Sequence, residues 1–242
     1  MKKILFFLLL ASGIISAKSQ TAIYGTLDDA YRDFMIKSHT QFDKLILNDF
    51  MGVGGDKRFM NNYWLEGVAT NNFEVSISKP YKFNYDFLGH ELHAKWKDTT
   101  IVVNTNYVRR FALIDNAGEH VFVKSAQLDP QGKYFFESLA FDADSKDSGK
   151  VQLLKLRTIK RIKANKNDYV ANFNGDFSDE LDETIEYYIV KPTNETTKVK
   201  LSRRSIQEAL GTAYKAKADA FFKNGSVSDE ISAASLIRAI NQ

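Results

Sequence analysis

Apolar and polar positions alternate in three different ways along this chain, giving a helical start, a long β-patterned middle and a helical end. Leu27, Ala30, Tyr31, Phe34 and Met35 share one helical face, behind a start signal of Thr26, Asp28 and Asp29. Gly52, Gly54 and Gly55 then interrupt any regular element. Further on come short runs rich in Val, Ile, Tyr, Phe and Thr, separated by turn residues. They predict strands at 73–78, 82–87, 91–96, 99–104, 107–114, 120–124, 134–141, 151–162, 168–173, 184–191 and 198–201. A hairpin turn is expected at 115–118, where Asn116 and Gly118 tolerate positive φ, and a longer polar loop at 142–149.

Beyond Ser202 the period changes to that of a helix, through Ile206, Ala209, Leu210, Ala213, Tyr214, Ala218, Phe221 and Phe222, until Asn224 and Gly225 stop it. A second helix is expected to begin near Ser228, carrying Asp229 and Glu230 in its first turn and Ile231, Ala234, Leu236, Ile237 and Ile240 as apolar positions. Sequential strands with short links favour an antiparallel meander. The fold class is therefore mainly β (α+β overall): a sandwich or barrel-like body with an N-terminal helix and a C-terminal helical hairpin. The expected organisation is a signal peptide at 1–19, a helix and Gly-rich linker at 20–62, an antiparallel β domain at 63–201 and the hairpin at 202–242.

The signal peptide rests on Lys2 and Lys3, the apolar run 4–10 and the small residues Ser16, Ala17 and Ser19. Cleavage after Ala17 or after Ser19 fits the small-x-small pattern. The apolar run falls short of the roughly 20 residues a membrane-spanning helix needs. No Cys occurs anywhere, which excludes both thioether lipidation and disulfides and leaves core packing to stabilise an exported domain. Of the formal charge of +3, Lys2, Lys3 and Lys18 supply all three, so a chain cut after Ser19 carries none. Global attraction to nucleic acid or to anionic membranes is not expected. A helical end also argues against a membrane-spanning β-barrel.

Candidate chemistry is sparse. His90-Glu91-Leu92-His93 superficially resembles a zinc-protease motif, but that motif needs histidines four apart on a helix. Here the spacing is three on a predicted strand, which turns the two rings to opposite faces; one of them with His120 is the remaining metal reading, against solvated or hairpin-end histidines. Gly52-Val53-Gly54-Gly55-Asp56-Lys57 lacks the ending of a phosphate loop and reads as a turn. Asp176, Asp179, Glu180, Asp182, Glu183 and Glu186 form an acidic patch. Aligned on Gly175, a calcium loop would put Val170 and Leu181 where carboxylates belong, so a helix-loop-helix site fails, and a solvated loop is expected rather than an irregular calcium site or a glycosidase carboxylate pair. Lys155, Arg157, Lys160, Arg161, Lys163 and Lys166 alternate with Leu154, Leu156, Ile159 and Ile162. This basic strand is expected to lie beside the acidic stretch rather than on a polyanion. Tyr63, Trp64, Tyr81, Tyr85, Trp96, Tyr107, Tyr134, Tyr187 and Tyr188 suit a β core or a sugar-stacking face, and the adjacent Tyr187 and Tyr188 must point to opposite sides. There is no Gly-x-Ser-x-Gly elbow.

Several short pieces together resemble a group of exported β-rich proteins common in Bacteroidetes, over about residues 55–240. They are Lys57-Arg58-Phe59-Met60-Asn61 leading to Trp64 and Gly67; Phe83-Asn84-Tyr85-Asp86; Val108 to Phe111; Tyr134-Phe135-Phe136-Glu137 before Leu153-Leu154-Lys155; and Tyr187-Tyr188-Ile189-Val190-Lys191 before Lys200-Leu201. The resemblance implies export to the envelope and a β-rich body with a helical end, and it brings no catalytic residues. Asp98-Thr99-Thr100 likewise resembles the O-glycosylation acceptor of that phylum. The expectation is an exported, non-enzymatic binding or structural protein of the bacterial envelope, periplasmic rather than extracellular, with an envelope protein or glycan as partner. No catalytic, cofactor or metal residues are assigned. A secreted hydrolase of sugar or peptide polymers is the alternative, and it would require acid and base groups from distant segments to meet in one pocket.

Overall fold

The computed structural model describes residues 55–97, 99–140, 149–163 and 180–242. The expected N-terminal helix, nearly all of the polar loop 142–149 and the strand 168–173 lie outside them. The strands are β1 Glu66–Asn71, β2 Ser76–Ile77, β3 Lys82–Asp86, β4 Glu91–Trp96, β5 Thr99–Val102, β6 Val108–Ile114, β7 Glu119–Val123, β8 Phe136–Ser138, β9 Gln152–Ile162, β10 Glu180–Val190 and β11 Thr196–Val199. They form one sheet in the order β11-β10-β9-β8-β7-β6-β1-β2 and a second of β3-β4-β5. All pairings are antiparallel, and all but one join strands that follow each other in the chain; the exception, β1 with β6, interrupts the expected meander, because β3 to β5 between them form the second sheet. The fold is mainly β and is not a barrel: the larger sheet ends in β2 and β11, which do not pair with each other.

Strand alternation decides which residues become core. Phe111 of β6 stands opposite Phe122 of β7, and the two rings stack at 4.7 Å on the same face as Leu113 and Ala69. Phe83, Tyr85, Leu92 and Ala94 of the small sheet close over them in one cluster. On the same face, at the β9 to β11 end, Leu153, Ile189 and Val199 meet instead the helices α1 Arg203–Leu210, α2 Lys215–Asn224 and α3 Glu230–Ile240, through Ile206, Leu210, Phe222, Leu236 and Ile237. Asn241 clips the end of α3 to the start of β9, accepting from Val151 N–H at 2.9 Å and donating to Val151 C=O at 2.8 Å. Among the described residues no helix is long and apolar enough to cross a membrane.

Several expectations need correction. Strand β1 escapes a propensity reading because Gly67, Ala69 and Asn71 are poor strand formers. Gly67 is there because a Cβ would sit 2.3 Å from Ala112 O on the neighbouring strand. The predicted strand 73–78 is mostly a turn, in which Asn71 Oδ1 accepts from the N–H groups of Phe73 and Val75 and Glu74 takes φ 62°, leaving only β2. Strand 134–141 shrinks to β8. The strand expected at 184–191, which holds Glu186, begins earlier: Glu180, Asp182 and Glu183 belong to β10 and not to a loop. The helical tail is broken at Gly211, whose φ of 72° ends α1 and introduces a 3-10 turn, Thr212–Tyr214, before α2. The third helix starts on a capping box in which Asp229 Oδ1 accepts from Ser232 N–H.

Gly67→Ala is expected to destabilise by about 1–3 kcal/mol, because the contact is with fixed backbone. Gly149→Ala, where nothing lies within 4 Å of the added methyl, serves as control and should stay within about 0.5 kcal/mol. Urea unfolding of both variants is the measurement.

Candidate functional site

The positions of β9 that face the helices and the small sheet read Leu153, Lys155, Arg157 and Ile159. Leu153 belongs to the helical core and Ile159 to the core under the small sheet. The two basic side chains between them fall where one cover ends and the other begins. Lys155 Nζ lies 3.2 Å from Glu137 Oε2 on β8 and 3.0 Å from Glu230 Oε1 on α3. Tyr187, directly opposite Lys155 on β10, donates to Glu230 at 2.7 Å. Glu137 continues the chain to His120 Nδ1 at 2.6 Å, whose Nε2 lies 3.2 Å from Asp115 Oδ1 in the β6–β7 turn. Arg157 reaches Glu183 at 2.5 Å and stacks over the Phe87 ring at 4.3 Å.

Electrostatics favour the charged forms of His120, Glu137 and Lys155. The Glu137 hydrogen bond raises the His120 pKa above its ordinary value against the opposing pull of burial. Burial pushes the Glu137 carboxyl up, yet His120 and Lys155 overcome it and leave Glu137 below the usual carboxylate range. For Lys155 burial acts downward and the two glutamates more than offset it. Burial and the Glu230 carboxylate push the Tyr187 hydroxyl up, so that it stays a donor. Acid and base groups from four strands and a helix thus converge, but each is engaged by another. One depression among the described residues, of about 80 Å³ and lined by Val68, Thr70, Arg110, Phe111, Ala112, Glu119 and Val121, is well below the roughly 300 Å³ of a small-molecule pocket. Glu119 and Val121 alternate with His120 along β7, so that depression opens on the other face of the sheet.

Histidines 90 and 93 are not brought to His120. His93 is buried on β4 with its ring edge-on to Phe59, and His90 occupies a turn with φ 55° beside Tyr134. Asp86, Glu91 and His93 do lie close enough to hold a cation. The Asp86 carboxylate, however, already accepts from Arg58 Nε and Nη2 at 3.0 and 2.8 Å and from the N–H groups of Leu88 and Gly89 at 2.8 and 3.2 Å. A dication there would face a guanidinium, so the cluster fits a structural clasp between Arg58 and β3.

The expected basic and acidic neighbours do meet: Lys160 stands opposite Asp182, and Glu186 pairs with Lys198 as well as with the Tyr188 hydroxyl, whose pKa burial and that carboxylate push up to about 12. Asp176, Asp179 and Lys166 lie outside the described residues. Tyr187 and Tyr188 point to opposite faces as alternation requires, one to Glu230 and the other to Phe136. Of the acceptor triplet, Asp98 lies outside the described residues and the Thr100 hydroxyl is buried. The sequence reading missed Glu137, Asp115, Glu230 and the Arg58–Asp86 pair. Their signal was a lone charge in an apolar strand or cap, Glu137 after Phe135-Phe136 being the clearest. Neither family models, nor curated proteins, nor solved structures give a match to this chain.

Linkage fixes the pH behaviour of the pair. The raised His120 pKa contributes stability that is complete below 6.5 and lost as pH rises through the folded value; the lowered Glu137 pKa contributes stability that is complete above 4.5 and lost as pH falls through its folded value. His120→Gln is expected to cost about 2 kcal/mol, or about 4–8 °C in Tm. The gap from the parent protein should be widest between pH 4.5 and 6.5 and narrow on both sides. A gap that stays flat from acid to alkaline pH in thermal melts would contradict it.

Proposed function

We propose that this chain is an exported, non-enzymatic binding protein of the bacterial cell envelope, periplasmic, acting through the surface of its β-rich body. We read that body as an open sandwich in which the three-stranded sheet covers one end of the larger one. The observation that carries the binding reading is a group of aromatics held partly exposed around the small sheet: Tyr63 at 42% and Trp96 at 40%, with Trp64 and Tyr81 beside them. Large rings at a rim are more useful for recognition than for stability. The charge apron of Lys2 and Lys3, the apolar run after it and the small residues before Gln20 support export.

A second reading, a secreted hydrolase of sugar or peptide polymers, is favoured by the meeting of His120, Glu137, Lys155 and Glu230 from distant segments. It asks these groups to act on a substrate while they are bound to one another.

A pull-down from the envelope fraction with mass spectrometry tests the first reading. It should return a chain beginning at Lys18 or Gln20 together with a specific envelope component. A purified protein that degrades glycans or peptides, and stops doing so in Glu137→Gln, would replace it with the hydrolase.

A further inference from the structure

At the end of the small sheet where β3 starts, β4 ends and β5 starts, Lys82 stands directly opposite Lys95, and Lys95 opposite Thr100. Alternation puts this row on the face away from the core row of Phe83, Ala94 and Ile101. Strands lie about 4.8 Å apart, and like charges directly opposite on neighbouring strands repel. Among the described residues no carboxylate pairs with Lys82, Lys95 or Lys97. The buried Oγ1 of Thr100 has no hydrogen-bond partner, an uncommon state for a buried hydroxyl. Lys82 and Lys95, facing each other with no carboxylate partner among the described residues, form a place for an anion.

The surroundings specify which kind. The Trp64 ring lies 5.9 Å from Lys95 Nζ, Lys97 sits over the Trp96 ring at 4.9 Å, and Tyr81 flanks Trp96 at 6.2 Å. Trp96 takes the last position of β4 and faces the other side from Lys95, so a polymer crossing the open end of the sheet meets lysines on one side and an indole on the other. Indole faces take the C–H faces of sugar rings, while lysines take the acidic groups carried on them. Building on the export and binding reading above, we propose that this end of the three-stranded sheet binds an acidic polysaccharide, with Lys82 and Lys95 on its carboxylate or phosphate groups and Trp96 under a sugar ring. A nucleic acid offers similar charge, but the export reading on which this proposal rests places envelope polysaccharides, rather than nucleic acid, within reach of the site.

The test uses the purified chain from residue 20 onward in affinity electrophoresis and calorimetry, with polygalacturonate, a neutral galactan and oligo(dT) as probes, at low and at physiological salt. Polygalacturonate is expected to bind, about tenfold more weakly after Lys82→Glu or Lys95→Gln and severalfold more weakly after Trp96→Ala. Lys82→Glu also replaces a repulsive cross-strand pair by an attractive one, so its Tm should rise by about 2 °C while its ligand affinity falls, which separates loss of binding from loss of fold. Equal binding of the neutral galactan, unchanged polygalacturonate affinity in both lysine variants, or no binding at all overturns the site. Tighter binding of oligo(dT) overturns the ligand class in favour of single-stranded nucleic acid. The amino terminus of protein recovered from cells is read separately: a cleaved chain that ignores polygalacturonate removes this ligand and leaves export standing, whereas an uncleaved chain that binds it removes export alone.

Discussion

One face of the eight-stranded sheet has to be buried, and no single element covers it. The three-stranded sheet takes the end built by β1, β6 and β7, and the C-terminal helices take the end built by β9, β10 and β11. The arrangement follows from strand alternation, which puts most of the apolar surface that must leave water on this face and leaves a smaller cluster, Val123, Phe136, Leu154 and Val190, on the other. Two covers meeting on one face leave a seam. The side chains that fall in that seam, Lys155, Arg157, Glu137, Tyr187 and His120, are polar because neither cover reaches fully over them.

Burying charge in such a place is costly unless every charge is answered, and the loss on removing one partner exceeds the gain from the pair. This explains why the seam is a chain of contacts rather than a single bridge. Lys155 is shared between Glu137 on the sheet and Glu230 on α3, and Tyr187 holds Glu230 from the other side. Apolar contact between helices and sheet is not directional. The hydrogen bonds around Glu230, together with the Asn241 clip at the far end of α3, fix where along β9 that helix lies.

Much of this is legible in the sequence. The period-two strands, the Asp115 to Gly118 turn and the charge complementarity of β9 and β10 follow from local pattern, and the structure has them. In hindsight the seam is also written in β9, where two basic residues interrupt an apolar face at 155 and 157, but naming their partners needs contacts far apart in sequence, such as Lys155 with Glu230. Strand β1 was hidden because Gly67 is chosen for a close backbone approach to Ala112, a tertiary demand that overrides propensity. The break at Gly211 is hidden for the opposite reason: apolar spacing on both sides continues a helical stripe, while the backbone at the glycine turns away.

Two cross-strand ribbons of the same molecule treat charge in opposite ways. On β9 and β10, Lys160 faces Asp182 and Arg157 reaches Glu183, so neighbouring strands neutralise each other. The seam does the same with longer reach. On β3 and β4, two lysines face each other with an unpartnered threonine next in the row. Sequences that specify a fold are consistent across levels, and the places where they depart from that consistency are where function is expected. By that criterion the acid-base convergence in the seam, although it contains the residue types of a catalytic site, is the part of the molecule most fully explained by folding. The lysine row at the rim of the small sheet is the part least explained by it.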